Sequence, residues 1–93
     1  MGILGSRQHT AGDARRWTVR YHKWLDNTAS IVSADVTSPS PTFTVDDVVV
    51  LGKDVQFFTM DGVQNEQVKV VIQITDTLDN VKTDTIMFTV VAP

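Results

Sequence analysis

The last third of the chain constrains the fold most. Val68, Val70, Ile72 and Ile74 alternate with Gln67, Lys69, Val71 and Gln73, and after a polar connection Ile86, Phe88 and Val90 alternate with Thr85, Met87 and Thr89. A period of two puts successive side chains on opposite faces of an extended backbone, so each run is a strand with one buried face. The link from Asp76 to Val81 is short and rich in Asp and Asn, which makes the pair a hairpin. Nowhere do apolar residues recur at helical spacing over three turns, so the expected helix content is small.

The same pattern extends upstream. Trp17, Val19 and Tyr21 alternate with Arg16, Thr18, Arg20 and His22, giving a strand with aromatics inward and cations outward. Asp26-Asn27-Thr28 marks a turn, and Val32, Ala34 and Val36 then form an inward face opposite Ser33, Asp35 and Thr37. Ser38-Pro39-Ser40-Pro41 ends that strand, because proline gives no ladder donor and holds its neighbour extended; such a segment suits a crossing between two sheets. Phe43 to Leu51 is rich in β-branched residues, with a bend or bulge expected at Asp46-Asp47. Gly52-Lys53-Asp54 is a turn, and Val55 to Met60 is a strand closed by Asp61-Gly62. Six or seven strands with turn signals about every ten residues predict an all-β, antiparallel, immunoglobulin-like β-sandwich over residues 16–93. A small open barrel is the alternative. The predicted core is Trp17, Tyr21, Trp24, Phe43, Phe57, Phe88 and the β-branched set. Met1 to Arg15 shows no apolar period and contains Gly2, Gly5 and Gly12, so residues 1–15 are expected to form a flexible N-terminal arm.

With 93 residues, the chain has room for one modest core. It has no cysteine, which excludes disulfides, thiolate metal sites and cysteine nucleophiles. The longest apolar run, Val48 to Leu51, is far short of a membrane span, so no membrane partner is expected. Charge is uneven: residues 1–23 sum to +4 and residues 24–93 to −7. A basic head on an acidic body fits docking onto an acidic neighbour, another copy of this chain included. Nucleic acid is not an expected partner, because the body repels phosphate and no basic stripe with interleaved aromatics exists.

Candidate chemistry is sparse. His9 and His22 lack metal-ligand spacing, and His22 reads as a solvated strand residue. No Gly-x-Ser-x-Gly elbow and no phosphate-binding glycine loop occurs. Asp46, Asp47 and Asp54, or Asp76, Asp79 and Asp84, can converge at a sandwich end, but neither set has the spacing of a calcium loop. No cofactor, no metal and no catalytic residue are expected, and the chain is not read as an enzyme. The candidate partner-contact residues are Arg7, Arg15, Arg16, Arg20 and His22, with the strand from Trp17 to Lys23 as the contact edge.

The span from Trp17 to Val91 resembles small virion proteins of tailed bacteriophages built as single immunoglobulin-like modules. The likeness lies in Trp24-Leu25-Asp26 followed by Ile31-Val32-Ser33-Ala34. It lies also in a closing hairpin of Val68-Lys69-Val70-Val71-Ile72-Gln73-Ile74-Thr75 with Asp84-Thr85-Ile86-Met87-Phe88-Thr89-Val90. Such proteins resemble fibre–tail adaptors, which implies a non-enzymatic part of the virion. The partners implied are other virion proteins of the tail, fibre or capsid, with a ring-like homo-oligomer in the particle. A capsid decoration (cement) protein is the alternative in that setting. A carbohydrate-binding module, using Trp17, Tyr21 and Trp24 as stacking platforms, is the alternative from another class.

Overall fold

The computed structural model describes residues 5–93, together with the backbone of residues 2–4. Seven strands follow in chain order: β1 (Gly2–Thr10), β2 (Ala14–Arg20), β3 (Ile31–Thr37), β4 (Phe43–Leu51), β5 (Asp54–Asp61), β6 (Gln67–Asp76) and β7 (Val81–Val91). They make a four-stranded sheet of order β1-β7-β6-β3 and a three-stranded sheet of order β2-β5-β4. Every described pairing is antiparallel except β1 with β7, which is parallel. The strand orders β2-β5-β4 and β7-β6-β3 correspond to the B-E-D and G-F-C sheets of an immunoglobulin-like sandwich, with the first strand joined to the G side.

The hairpin of β6 and β7 forms as the alternation demands. Val68, Val70, Ile72 and Ile74 are buried on β6, and Ile86, Phe88 and Val90 on β7. Facing them, β5 contributes Val55, Phe57 and Thr59, and β4 contributes Phe43. The two sheets lock through rings: Phe88 meets Phe43 at 5.4 Å and the Trp17 ring edge-on at 5.2 Å. Aromatic pairs in such offset or edge-on arrangements add to the free energy of area burial alone. Ser38 to Pro41 carries the chain from the larger sheet to the smaller one, and Ser38 Oγ donates to the Phe43 carbonyl at 2.6 Å.

Two bulges alter the expected faces. In β3 the register steps by two residues against one between Ile31 and Ser33, so Val32 turns outward and is 62% exposed. Ile31 takes its place in the core, and the inward face predicted through Val32, Ala34 and Val36 holds only from Ala34 onward. In β4 the register slips between Asp46 and Val49, with Asp47 at a φ of 54°, a conformation Asp tolerates better than most residues. That bulge was legible at Asp46-Asp47; its consequence is that Val48 and Val49 stand in solvent. Trp24 is a further departure, at 36% exposure rather than in the core. It follows the end of β2 in a turn where the Tyr21 carbonyl accepts from both Trp24 N and Leu25 N, which swings Leu25 inward and Trp24 out.

The largest correction concerns the N-terminal segment. Instead of a flexible arm over residues 1–15, residues 2–10 form β1, paired along β7 from Gly2 opposite Asp84 to Thr10 opposite Val91, and β2 begins at Ala14; Met1 lies outside the described residues. An edge strand can be ordered by the ladder hydrogen bonds to its neighbour without showing apolar alternation of its own. Among the described side chains of β1 the buried one is His9, at 1% exposure. Its Nε2 lies 3.0 Å from the Asp61 carbonyl, which can only accept, so Nε2 donates. Nδ1 then accepts from Thr59 Oγ1 at 3.0 Å, and Thr59 Oγ1 accepts the Trp17 indole N–H at 2.8 Å. The imidazole also meets the Phe43 ring edge-on at 5.0 Å.

This arrangement makes β1 part of the folding unit. Replacing His9 with Ala leaves the Asp61 carbonyl and Thr59 hydroxyl short of a partner and opens a cavity beside Phe43. Urea denaturation of His9→Ala is expected to show a loss of about 3 kcal/mol. Deleting residues 1–10 is expected to abolish the cooperative thermal transition seen by circular dichroism.

Candidate functional site

Each sheet leaves two edges, and the edges pair up in space. β1 and β2, joined by the tight turn after Thr10, bound one side of the sandwich. They carry the four candidate arginines. A cavity of about 210 Å³ opens between them, lined by Arg7 from β1, Trp17, Thr18, Val19 and Arg20 from β2, and Ile86 beneath. The structure thus brings Arg7 and Arg20 together. Arg15 folds back so that its guanidinium sits 4.5 Å from the Trp17 ring centre, and Arg16 lies 4.9 Å from the Phe58 ring on the outer face of the smaller sheet. Stacking on an aromatic face holds a guanidinium in place while leaving its donors free. Among the described residues none of the four arginines forms an ion pair.

His22 stands apart from that cluster. Its Nε2 lies 3.0 Å from Asp54 Oδ1, so an internal carboxylate already occupies it. It does line a second cavity, of about 400 Å³, where β2 runs into the following turn, with Arg20, Tyr21, Lys23, Trp24 and Lys82. Arg20 borders both cavities, which makes the side of the sandwich one basic seam. Lys82 Nζ is 5.7 Å from the Trp24 ring and 3.3 Å from Asp84 Oδ1.

Tyr21 and Lys82, which line this cavity, both meet a buried carboxylate. Asp84 is 1% exposed, Lys82 supplies the charge that offsets it, and the buried Tyr21 hydroxyl lies against its carboxylate. Burial first, and then the Asp84 charge, push the Tyr21 hydroxyl well above the ordinary tyrosine value. Sequence reasoning placed Tyr21 in the core but did not find Lys82, Trp24 or Asp84 as its neighbours. No spacing signal links residues 21–24 with 82–84.

The carboxylate groupings considered for calcium do not converge. Asp54 pairs with His22, Asp76 accepts the backbone N–H groups of Leu78 and Asn80 in its own turn, and Asp84 lies beneath Tyr21. Stacking on sugar is left with Trp24, since Tyr21 is buried and the Trp17 indole N–H is committed to Thr59.

A family model, described as podophage GP4 fiber-tail adaptor protein gp77, matches residues 9–89. The chain belongs to this family of phage fibre–tail adaptors. The match spans β2 to β6 and most of β7, together with the His9 end of β1; it includes Arg15, Arg16 and Arg20 and begins after Arg7. No curated protein matches the chain. Membership makes the protein a component of the virion and gives it other virion proteins as neighbours.

The Tyr21 environment has a measurable consequence. A phenol held neutral in the folded state leaves stability unchanged below the unfolded value of 10.0 and removes it as pH rises beyond that. Above pH 10 the tyrosine contribution is expected to fall by about 1.4 kcal/mol per pH unit. Tyr21→Phe is expected to lack that component in urea titrations from pH 9 to 11, the chain having no other tyrosine.

Proposed function

We propose that this chain is a non-enzymatic adaptor that joins the tail to its fibres through protein–protein contacts, with the seam between β1 and β2 as the principal contact surface. One observation carries the reading beyond the family. The seam concentrates Arg7, Arg15 and Arg20 with exposed donors and no acidic partner among the described residues, on a chain whose overall charge is −3. Arginines left unpaired at a sheet edge, some held by aromatic rings, fit recognition of a carboxylate-bearing protein surface. Arg16 serves the outer face of the smaller sheet, and His22 takes a subsidiary place at the second cavity. The acidic body disfavours nucleic acid as a partner. Adaptors that meet a rotationally symmetric tail recur around it, so a ring-like homo-oligomer in the particle is part of the proposal.

Quantitative mass spectrometry of purified particles, with this chain counted against the major capsid protein, tests the reading. The expected result is on the order of six to twelve copies, one ring. Hundreds of copies would reassign the chain to capsid decoration, and none would end the adaptor reading for this protein.

A further inference from the structure

The two sides of the sandwich carry opposite charge. β1 and β2 hold Arg7, Arg15, Arg16 and Arg20 and not one acidic residue. β3 and β4 hold Asp35, Asp46 and Asp47 and not one basic residue. The strand orders β1-β7-β6-β3 and β2-β5-β4 put these pairs at opposite edges, and all seven side chains are exposed. Among the described residues none of the seven is in an ion pair.

The acidic side also shows the apolar residues that the two bulges expel. Val32 is 62% exposed, Val48 37%, Val49 38% and Leu51 51%. The backbone joins β3 to the end of β4 there, where Ile31 N donates to the Gly52 carbonyl at 2.9 Å. The basic side offers the complement: a cavity with Trp17, Val19 and Ile86 as apolar wall and Arg7 and Arg20 at its rim.

We propose that the ring is closed by the β3/β4 edge of one copy seated on the β1/β2 edge of the next; this rests on the adaptor reading for the ring itself. The occupant of the basic seam is then a second copy of this chain. A two-fold contact would set like charge against like charge, whereas a head-to-tail contact sets Asp35 and Asp46 against Arg7 and Arg20 at every junction. Two different surfaces meeting in this way generate a closed ring or a filament, not a dimer. Strand direction permits it. β2 and β4 both run antiparallel to β5, and β1 and β3 likewise run the same way, so a sideways step with rotation brings each edge alongside its counterpart. The bulges at Val32 and at Asp47-Val48 interrupt any continuous ladder, so side chains carry the contact.

A charge swap tests this. Asp35→Lys with Asp46→Lys gives a chain with two basic edges, and Arg7→Glu with Arg20→Glu gives one with two acidic edges; Asp47 is left alone because of its positive φ. Native mass spectrometry at low salt should find the unaltered chain oligomeric and dissociating as salt is added. Each double variant, folded by circular dichroism, should be monomeric, its dissociation constant raised about tenfold or more. An equimolar mixture of the two should reassemble with alternating subunits. An unaltered chain that stays monomeric, variants that assemble as it does, or a mixture that fails to reassemble would each overturn the edge-to-edge contact. The first result would assign the basic seam to an acidic segment of another virion protein. The copy count in particles reads the adaptor role independently, so either idea can fail alone.

Discussion

His9 lies between the sheets with both ring nitrogens bonded, and through them it ties β1 of the larger sheet to β5 of the smaller. The bonds form one directed chain, from the Trp17 indole through the Thr59 hydroxyl and the imidazole to the Asp61 carbonyl. The Asp61 carbonyl, which also takes the Gly12 N–H, can only accept, so the tautomer of His9 is set by its neighbours. The same chain orients Trp17, whose ring packs on Phe88 on one side and carries Arg15 on the other. Placement of the basic seam therefore depends on a buried imidazole several residues from any of its arginines except Arg7.

The elements that were legible in the sequence are those whose inner face is apolar at every second residue. β6 and β7 are the clearest, and β2 and β5 follow from Trp17, Val19, Val55 and Phe57. The crossing at Ser38-Pro39-Ser40-Pro41 was readable from proline alone. Prediction failed at β1, whose described side chains show a buried polar ring and no apolar stripe. β1 turns His9 inward and draws its ladder from β7, and no periodicity within Gly-Ile-Leu-Gly-Ser-Arg-Gln-His-Thr records that. Bulges are the second cause, since one inserted residue flips every side chain that follows until the ladder resumes. Val32 was lost to the core in this way, and Trp24 was displaced by a turn whose hydrogen bonds converge on Tyr21.

The candidate site shows the same division. Arg7, Arg15, Arg16 and Arg20 were identifiable because they are frequent in a short stretch of an otherwise acidic chain. Their grouping was not, since a mobile arm would have scattered Arg7 away from Arg20. Lys82 comes to them from the far end of the sequence because β7 pairs with β1. The buried Asp84 shows why Lys82 matters locally: a carboxylate at 1% exposure needs a nearby cation, and the lysine that supplies it reaches both that carboxylate and the Trp24 ring.

A sandwich with four free edges risks pairing with any exposed strand it meets. Here each edge is guarded by charge, by a bulge or by both, and the guards are distributed by sign. On one side are guanidiniums over aromatic rings; on the other, carboxylates beside expelled valines. Charge of a single sign along an edge repels a copy presenting the same edge and accepts one presenting the other. The devices that suppress uncontrolled sheet extension are thus able to set direction in a controlled assembly. A small core can supply such direction cheaply, because exposed side chains at an edge cost the folded state little. An adaptor whose neighbours are other virion proteins has use for two edges that differ this sharply.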